Sequence, residues 1–413
     1  MRISTSHIYN TGLNSMLDQQ TKLNTTQLQL AEGKRIIKPS DDPIGAGIAL
    51  GIKQLIQTSE QYVSNGETAQ TKLEVVESSL TSVTDILNRS RDLLLQGSNG
   101  ALNSQDRNSL ALEIEARLEE MLSLANTQTS TGEYIFSGYA TNTVPYTKDI
   151  AGNYIYNGDQ GKQFVDVNSS LEIQTNFSGS EIFAEIPTGN GTFQTLGSSA
   201  NTGLGVISSG SVIDNTAYIT DTYTVTVFST PAGVQSYRVD GANTGQVIPA
   251  LPAVPATDSP RYVDGANIEF NGVQIHIDGR VEAGDTFTVE PSSSQDIFTT
   301  LQHSIDALRA SDQSSTLQAQ MNDRLNNGLI NLDQALDHLN QGRSSVGTRL
   351  NVIESEKTIN QNIVVQAQSS LSLVEDLDYA SAITDLNKQS VALQAAQQSF
   401  VQIQGLSLFQ FIR

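Results

Sequence analysis

The sequence predicts an α+β chain. Its N- and C-terminal segments form a long antiparallel coiled-coil helical core, and a β-rich outer region is inserted between them. Three observations lead there. Apolar residues recur at alternating three- and four-residue steps in both terminal parts of the chain. Residues 187–292 hold only Leu196, Leu204 and Leu251, whereas nine of the 12 tyrosines fall between Tyr134 and Tyr262. Four prolines crowd into "IPALPAVPATDSP", residues 248–260, where neither a helix nor a central strand is expected, only an extended loop or linker.

In chain order, the first helical seam is Leu13, Met16, Gln20, Leu23, Gln27 and Leu30, two of them polar. Gly33 stands where a helix C-cap is expected. In "GKRIIKPSDDPIGAG" Ser40 or Asp42 is expected to cap a helix opening at Pro43. Leu73, Val76, Leu80, Val83, Leu87, Ser90 and Leu94 form a second seam. A third helix is expected over about residues 105–125, capped by Asn103 or Ser104. Alternating Tyr154 and Tyr156 and the turn-rich "YNGDQG" open the β region. "DTYTVTVF" is the strongest strand, with Tyr223, Val225 and Val227 on one face; "VQSYRV" follows a turn. "IEFNGVQIHI" is a hairpin whose Asn271-Gly272 suits a type I′ turn, and Phe287 and Val289 mark one more strand.

Helix resumes near Ser294, with Ile297, Leu301, Ile305 and Leu308 on one face. A further helix carries Leu317, Met321, Leu325, Leu329, Leu332, Leu336 and Leu339. The longest seam follows: Val346, Leu350, Ile353, Lys357, Asn360, Val364, Ala367, Leu371 and Val374. The last is Ile383, Leu386, Ser390, Leu393, Gln397 and Phe400, continued by Ile403 and by an apolar end with Leu406, Leu408, Phe409, Phe411 and Ile412. The expected divisions are 1–139 (N-terminal helical half), 140–186 (β-rich), 187–292 (inserted β-rich domain) and 293–413 (C-terminal helical half). A β insert between helical halves implies that the two chain ends run together. Polar seam residues weaken an isolated pair but fix its register, so the terminal helices are expected to be marginal alone and to order against neighbouring subunits.

Charge and composition exclude several functions. With 23 basic against 44 acidic residues, the net charge is −21, which disfavours nucleic acid and anionic membranes. There is no cysteine, hence no disulfide, thiolate nucleophile or thiolate metal ligand, and the four histidines are scattered. "MRISTSHIYNTGLNSML" has no continuous apolar run, so no secretory signal peptide is expected, nor a membrane-spanning helix. Asp41 and Asp42 are adjacent and point apart, which suits helix punctuation better than paired acid–base chemistry. "GAGIALG", residues 45–51, lacks both the spacing and the preceding strand of a dinucleotide loop. No catalytic residue, cofactor or metal is expected.

The chain resembles the flagellin superfamily of bacterial axial proteins. "LAEGKRIIKPSDDP" resembles the N-terminal signature through Gly33, Arg35, Asp41, Asp42 and Pro43. "SSLSLVEDLDYASAITDLNKQSVALQAAQQSFVQIQGLSL" resembles the C-terminal one, with Asp376, Asp378 and Ala380 in order. The start "MRISTSHIYN", the block "GEYIFSG" with Gly132, Tyr134, Phe136 and Gly138, and the ending "LSLFQFI" resemble the branch that joins hook to filament. Residues 187–264 lie outside the resemblance. It implies a structural adaptor with no enzymatic activity, secreted through the flagellar type III apparatus to the extracellular hook–filament junction. Implied partners are like subunits, the first hook-associated protein, flagellin, and an export chaperone at the C-terminal segment. The subunit interface would be Leu13, Met16, Leu23, Leu30, Leu350, Ile353, Val364, Leu371, Val374, Leu386, Leu393, Phe400, Ile403, Leu406 and Phe409. Alternative readings are a flagellin filament subunit or an extracellular carbohydrate-binding or adhesin protein.

Overall fold

A computed structural model describes residues 5–250, 254–310 and 314–405. Its helices are α1 (Thr5–Glu32), α2 (Pro43–Gly97), α3 (Ser104–Ala125), α4 (Gly179–Phe183), α5 (Pro255–Asp258), α6 (Ile297–Arg309), α7 (Ser315–Glu375) and α8 (Tyr379–Gly405). The chain divides into two compact units. A terminal unit gathers residues 1–66, 166–171 and 354–413, and a central unit gathers 67–165 and 172–353.

In the terminal unit α1 and α8 run antiparallel, and Tyr9 packs edge-on against Phe400 at 5.9 Å between ring centroids. The seam register differs from the sequence expectation by one residue at several steps. Met16, Gln19, Leu23, Thr26 and Leu30 are among the partly or fully covered positions of α1, while Gln20 and Gln27 face water. On α8 the seam runs through Ala382, Leu386, Gln389, Leu393, Ala396 and Phe400; Ser390, an expected seam position, is also partly covered, and Ile383 and Gln397 are exposed. Both sets keep the three–four spacing of a coiled-coil seam. The register shifts because Gln19, Thr26 and the small Ala382 and Ala396 occupy inward positions where Gln20, Gln27, Ile383 and Gln397 were expected. Asn360, expected to interrupt the seam of α7, is buried instead: its Nδ2 donates to the Val167 carbonyl at 3.0 Å.

The central unit has two cores. In the helical one, Leu73, Val76, Leu80, Val83, Leu87 and Leu94 of α2 are buried, as are Ile114, Leu118 and Met121 of α3. Leu301, Ile305 and Leu308 of α6 and Met321, Leu325, Leu332, Leu339 and Val346 of α7 are buried too. The two helices expected around residues 315–375 are one. Gly342 and Gly347 do not break it, since Leu339 and Val346, one heptad apart, keep the same face inward. Asn103 caps α3, with its Oδ1 accepting the amides of Gln105 and Asp106.

The second core is a β sandwich. One antiparallel sheet has the order Gly245–Ile248, Gln235–Gly241, Tyr223–Ser229, Thr286–Pro291, Phe193–Gly197. The other has Asn267–Phe270, Val273–Asp278 and Val206–Ile207, with Ser211–Val212 also paired to its middle strand. Tyr223, Val225, Val227, Val239, Phe270, Ile275, Phe287 and Val289 fill the space between. Asn271 and Gly272 both take positive φ, 43° and 77°, as a type I′ turn requires. The Asp221 carboxylate collects the amides of Thr222, Asn243 and Thr244. Those bonds outweigh its desolvation and hold its pKa down at about 2. The proline-rich segment, in which the sequence predicts an extended loop and no helix, contains a single helical turn at α5, because proline suits the first position of a helix. The sandwich joins the rest through a stem in which Ile186 and Pro187 pair with Gln295 and Ser294, and the Thr188 amide donates to the Ser293 carbonyl at 2.9 Å.

Candidate assembly site in the terminal unit

The segments that carry the sequence signatures meet where α1 ends and α8 begins. Gly33 closes α1 with φ +70°, and a Cβ there would lie 2.7 Å from the Tyr379 hydroxyl, so the position needs glycine twice over. The next residues pair with the end of α7: the Arg35 amide donates to the Glu375 carbonyl at 2.7 Å, and the Leu377 amide to the Gly33 carbonyl at 3.1 Å. The Arg35 guanidinium donates to the Val374 carbonyl at 3.0 Å and lies 3.4 Å from Asp42.

Both aspartates of the "DDP" stretch act as punctuation. Asp41 Oδ2 accepts the amides of Ile37 and Lys38 at 3.2 and 2.9 Å, tightening the turn. Asp42 Oδ1 accepts the Gly45 amide at 2.9 Å and caps α2, so Asp42 rather than Ser40 has that role. Asp378 does the same for α8, accepting the amides of Ala380 and Ser381 at 3.0 and 3.2 Å. Asp376 accepts the Ser372 hydroxyl.

Glu375 stands within the C-terminal signature, where the sequence assigns it no role of its own, yet it is the ionic centre of this crossing. It is buried, and its carboxylate binds Lys53 of α2 and, at 3.5 Å, Lys34. The hydrogen bond from Lys53, then the charges of Lys53 and Lys34, hold its pKa below the ordinary range. Sequence spacing does not reveal it, because Glu375, Lys34 and Lys53 lie on three separate segments. A second missed group is Gln389, in the middle of α8. Thr26 donates to its Oε1 at 3.0 Å and Gln19 to its carbonyl at 3.5 Å, a polar layer in the seam.

The seam is only half covered. Met16, Leu23, Leu30, Leu386, Leu393 and Phe400 are partly buried, and Leu13 is exposed. Outside it, Leu17, Leu28, Ile383, Val391 and Val401 are open to water. Val364, Leu371 and Val374 are partly buried, and an apolar groove of about 560 Å³ runs between Ile52, Leu55, Ile359, Ile363 and Ala367. Leu350, partly buried, and Ile353, fully buried, belong to the central unit. The Ile403 side chain, Leu406 and Phe409 lie outside the described residues.

The block with Gly132, Tyr134, Phe136 and Gly138 also lies in the central unit and has a packing role. Phe136 is buried edge-on against Phe183 at 5.1 Å, and the Gly179 amide and the Tyr156 hydroxyl donate to its carbonyl at 2.8 and 2.9 Å. Gly138 has φ +72° and sits against the Asp159 backbone. Among the described residues, no three His, Asp or Glu side chains are placed to hold a metal, and no helix is long and apolar enough to cross a membrane.

Comparison with known proteins converges on one family. The bacterial flagellin N-terminal helical region matches residues 3–141, and the bacterial flagellin C-terminal helical region matches residues 329–412. Flagellar hook-associated protein 3 of Escherichia coli (strain K12) is 27% identical over 410 residues, 99% of each chain. The flagellar junction protein FlgL from Legionella pneumophila is 34% identical, with a TM-score of 0.74, covering 79% of this chain and 99% of that one. FlgL from Xanthomonas campestris is 28% identical, with a TM-score of 0.69, covering 78% and 99%. With flagellin-type helices at both ends and this likeness along nearly its whole length, the chain belongs to the flagellar hook-associated protein 3 family, the FlgL proteins of the hook–filament junction.

Proposed function

We propose that this chain is a structural adaptor that joins hook to filament and polymerises through its terminal helices after type III export. The observation that carries the reading is the half-covered α1–α8 pair. Two helices of 28 and 27 residues expose Leu13, Leu17, Leu28, Ile383, Val391 and Val401, more apolar surface than a pair needs to leave open unless other copies cover it. The interface residues are those of the seams, Leu13 to Leu30 and Val364 to Phe400, together with Leu350, Ile353, Ile403, Leu406 and Phe409.

Its partners are further copies in the junction zone, the first hook-associated protein on the hook side and flagellin on the filament side. An export chaperone binds the C-terminal segment before secretion to the cell exterior. Residues 1–139 and 293–413 form the helical halves, and 140–186 and 187–292 the β-rich parts carried by them. The chain performs no catalysis: the aspartates of its signatures are engaged in caps and turns.

Purified protein added to isolated hooks, followed by flagellin, tests the reading. An adaptor adds a zone of fixed length and then accepts flagellin. Indefinite elongation by this protein alone favours the filament-subunit alternative. For the adhesin alternative, residues 189–292 are excised at the stem: loss of a surface-binding activity with motility intact supports it.

A further inference from the structure

One buried acid of the central unit has no part in caps, turns or the assembly site. Asp323 of α7 is 7% exposed. Its Oδ2 accepts the Gly197 amide at 3.1 Å, at the end of the outermost strand of the five-stranded sheet. The Ile207 amide, from the second sheet, also acts on the carboxyl. One helical side chain thus anchors the end of an edge strand of the sandwich. Its Oδ1 has no hydrogen-bond partner among the described residues. A bare, buried carboxylate oxygen is costly while charged, but once protonated it becomes a hydroxyl that donates to water or a carbonyl.

A cleft of about 600 Å³ beside it gives access to water and protons. It is bordered by Gln194, Thr300, His303, Asp306, Asp323 and Asn327. The charged or titratable groups facing Asp323 are Arg324 on α7 and His303 and Asp306 on α6. The residues of the Phe193–Gly197 strand, the 198–205 segment and the Val206–Ile207 strand carry no charge.

We propose that Asp323 is a proton-operated latch: with its carboxyl neutral, α7 packs closed on the Phe193–Gly197 strand, and when it is ionised the cost of the buried, unpartnered Oδ1 loosens that packing. Burial supports this by raising its pKa to about 6, against the pull of the Gly197 and Ile207 amides and of Arg324. The folded value lies above the usual 3.8. The folded state therefore holds the proton more tightly, and the stabilisation is full below about 3.8 and lost as the pH rises through about 6. The latch is closed on the acid side and slack near neutrality.

Hydrogen exchange at the Gly197 and Ile207 amides of the full chain, corrected for intrinsic rates, reads the latch directly. Wild-type protection is expected to fall by about tenfold or more between pH 5 and pH 7.5. Asp323→Asn keeps an accepting oxygen and adds a permanent donor, so protection stays high and flat with pH. Asp323→Ala is low and flat. His303→Gln retains the wild-type profile, which separates the acid from the nearby imidazole. A flat wild-type profile, a slope that persists in Asp323→Asn, or one abolished by His303→Gln overturns the proposal.

Discussion

In the β sandwich Val225, Val239 and Ile275 are 0% exposed and Phe287 is 1% exposed; along the terminal helices Leu13 is 47% exposed, Leu17 52% and Val401 65%. Both regions are built from regular apolar patterns, of period two in one and of heptad steps in the other. They differ in where the second wall of the core comes from. Each sheet of the sandwich has the other sheet, whereas α1 and α8 have only each other. A two-helix pair can cover one stripe of each helix, and the remaining apolar residues are left for other copies. A core closed within one chain is stable alone; a core open on two sides needs assembly.

That contrast makes predictions of decreasing effect on the isolated chain. Phe287→Ala in the sandwich removes a ring with nowhere to relax and costs about 3–5 kcal/mol in denaturant unfolding of the central unit. Glu375→Gln costs about 1–2 kcal/mol at pH 7, by loss of charge-assisted bonds to Lys53 and Lys34. Because the folded pKa of Glu375 is depressed, its contribution is present above the usual carboxylate range. It is lost as the pH falls through the folded value. Thermal melts of wild type and variant should therefore converge in acid.

Gln389→Leu stabilises the helix pair by about 0.5–1 kcal/mol while loosening its register, since the side-chain bond with Thr26 is lost. Spin labels at positions 16 and 393 should report a broader distance distribution. At the small end, Leu17→Asp with Leu28→Asp shifts monomer stability by no more than about 0.5 kcal/mol, as exposed sites do. The same pair should abolish incorporation at the hook tip, scored by electron microscopy. A large loss of monomer stability instead would mean that these leucines already have a wall within the chain.

How much of this was legible in the sequence depended on whether the deciding interactions were local. Caps and turns were: Gly33, Asp42-Pro43, Asn103 and Asn271-Gly272 act on residues within a few positions of themselves. The strong strand Tyr223–Ser229 was legible because alternation is local too. The seam register was not, since a heptad pattern with Gln20 and Gln27 in it fits two adjacent registers. The choice falls to Thr26 and Gln389, 363 residues apart. The Glu375 cluster was hidden for the same reason, and so was Asp323, an ordinary helical aspartate until an edge strand of the sandwich folds against it. The separate helix and seam expected within residues 315–375 are one continuous helix, because long-range packing carries it through Gly342 and Gly347.

The central claim is that copies of the chain complete the core that α1 and α8 leave open. Hydrogen exchange of the α1 and α8 amides, measured on isolated protein and on protein assembled onto hooks, tests it most directly. The account predicts rapid exchange along both helices in isolation and a rise in protection of at least about a hundredfold on assembly, with the β sandwich equally protected in both states. Equal, strong protection of the two helices before and after assembly would contradict it.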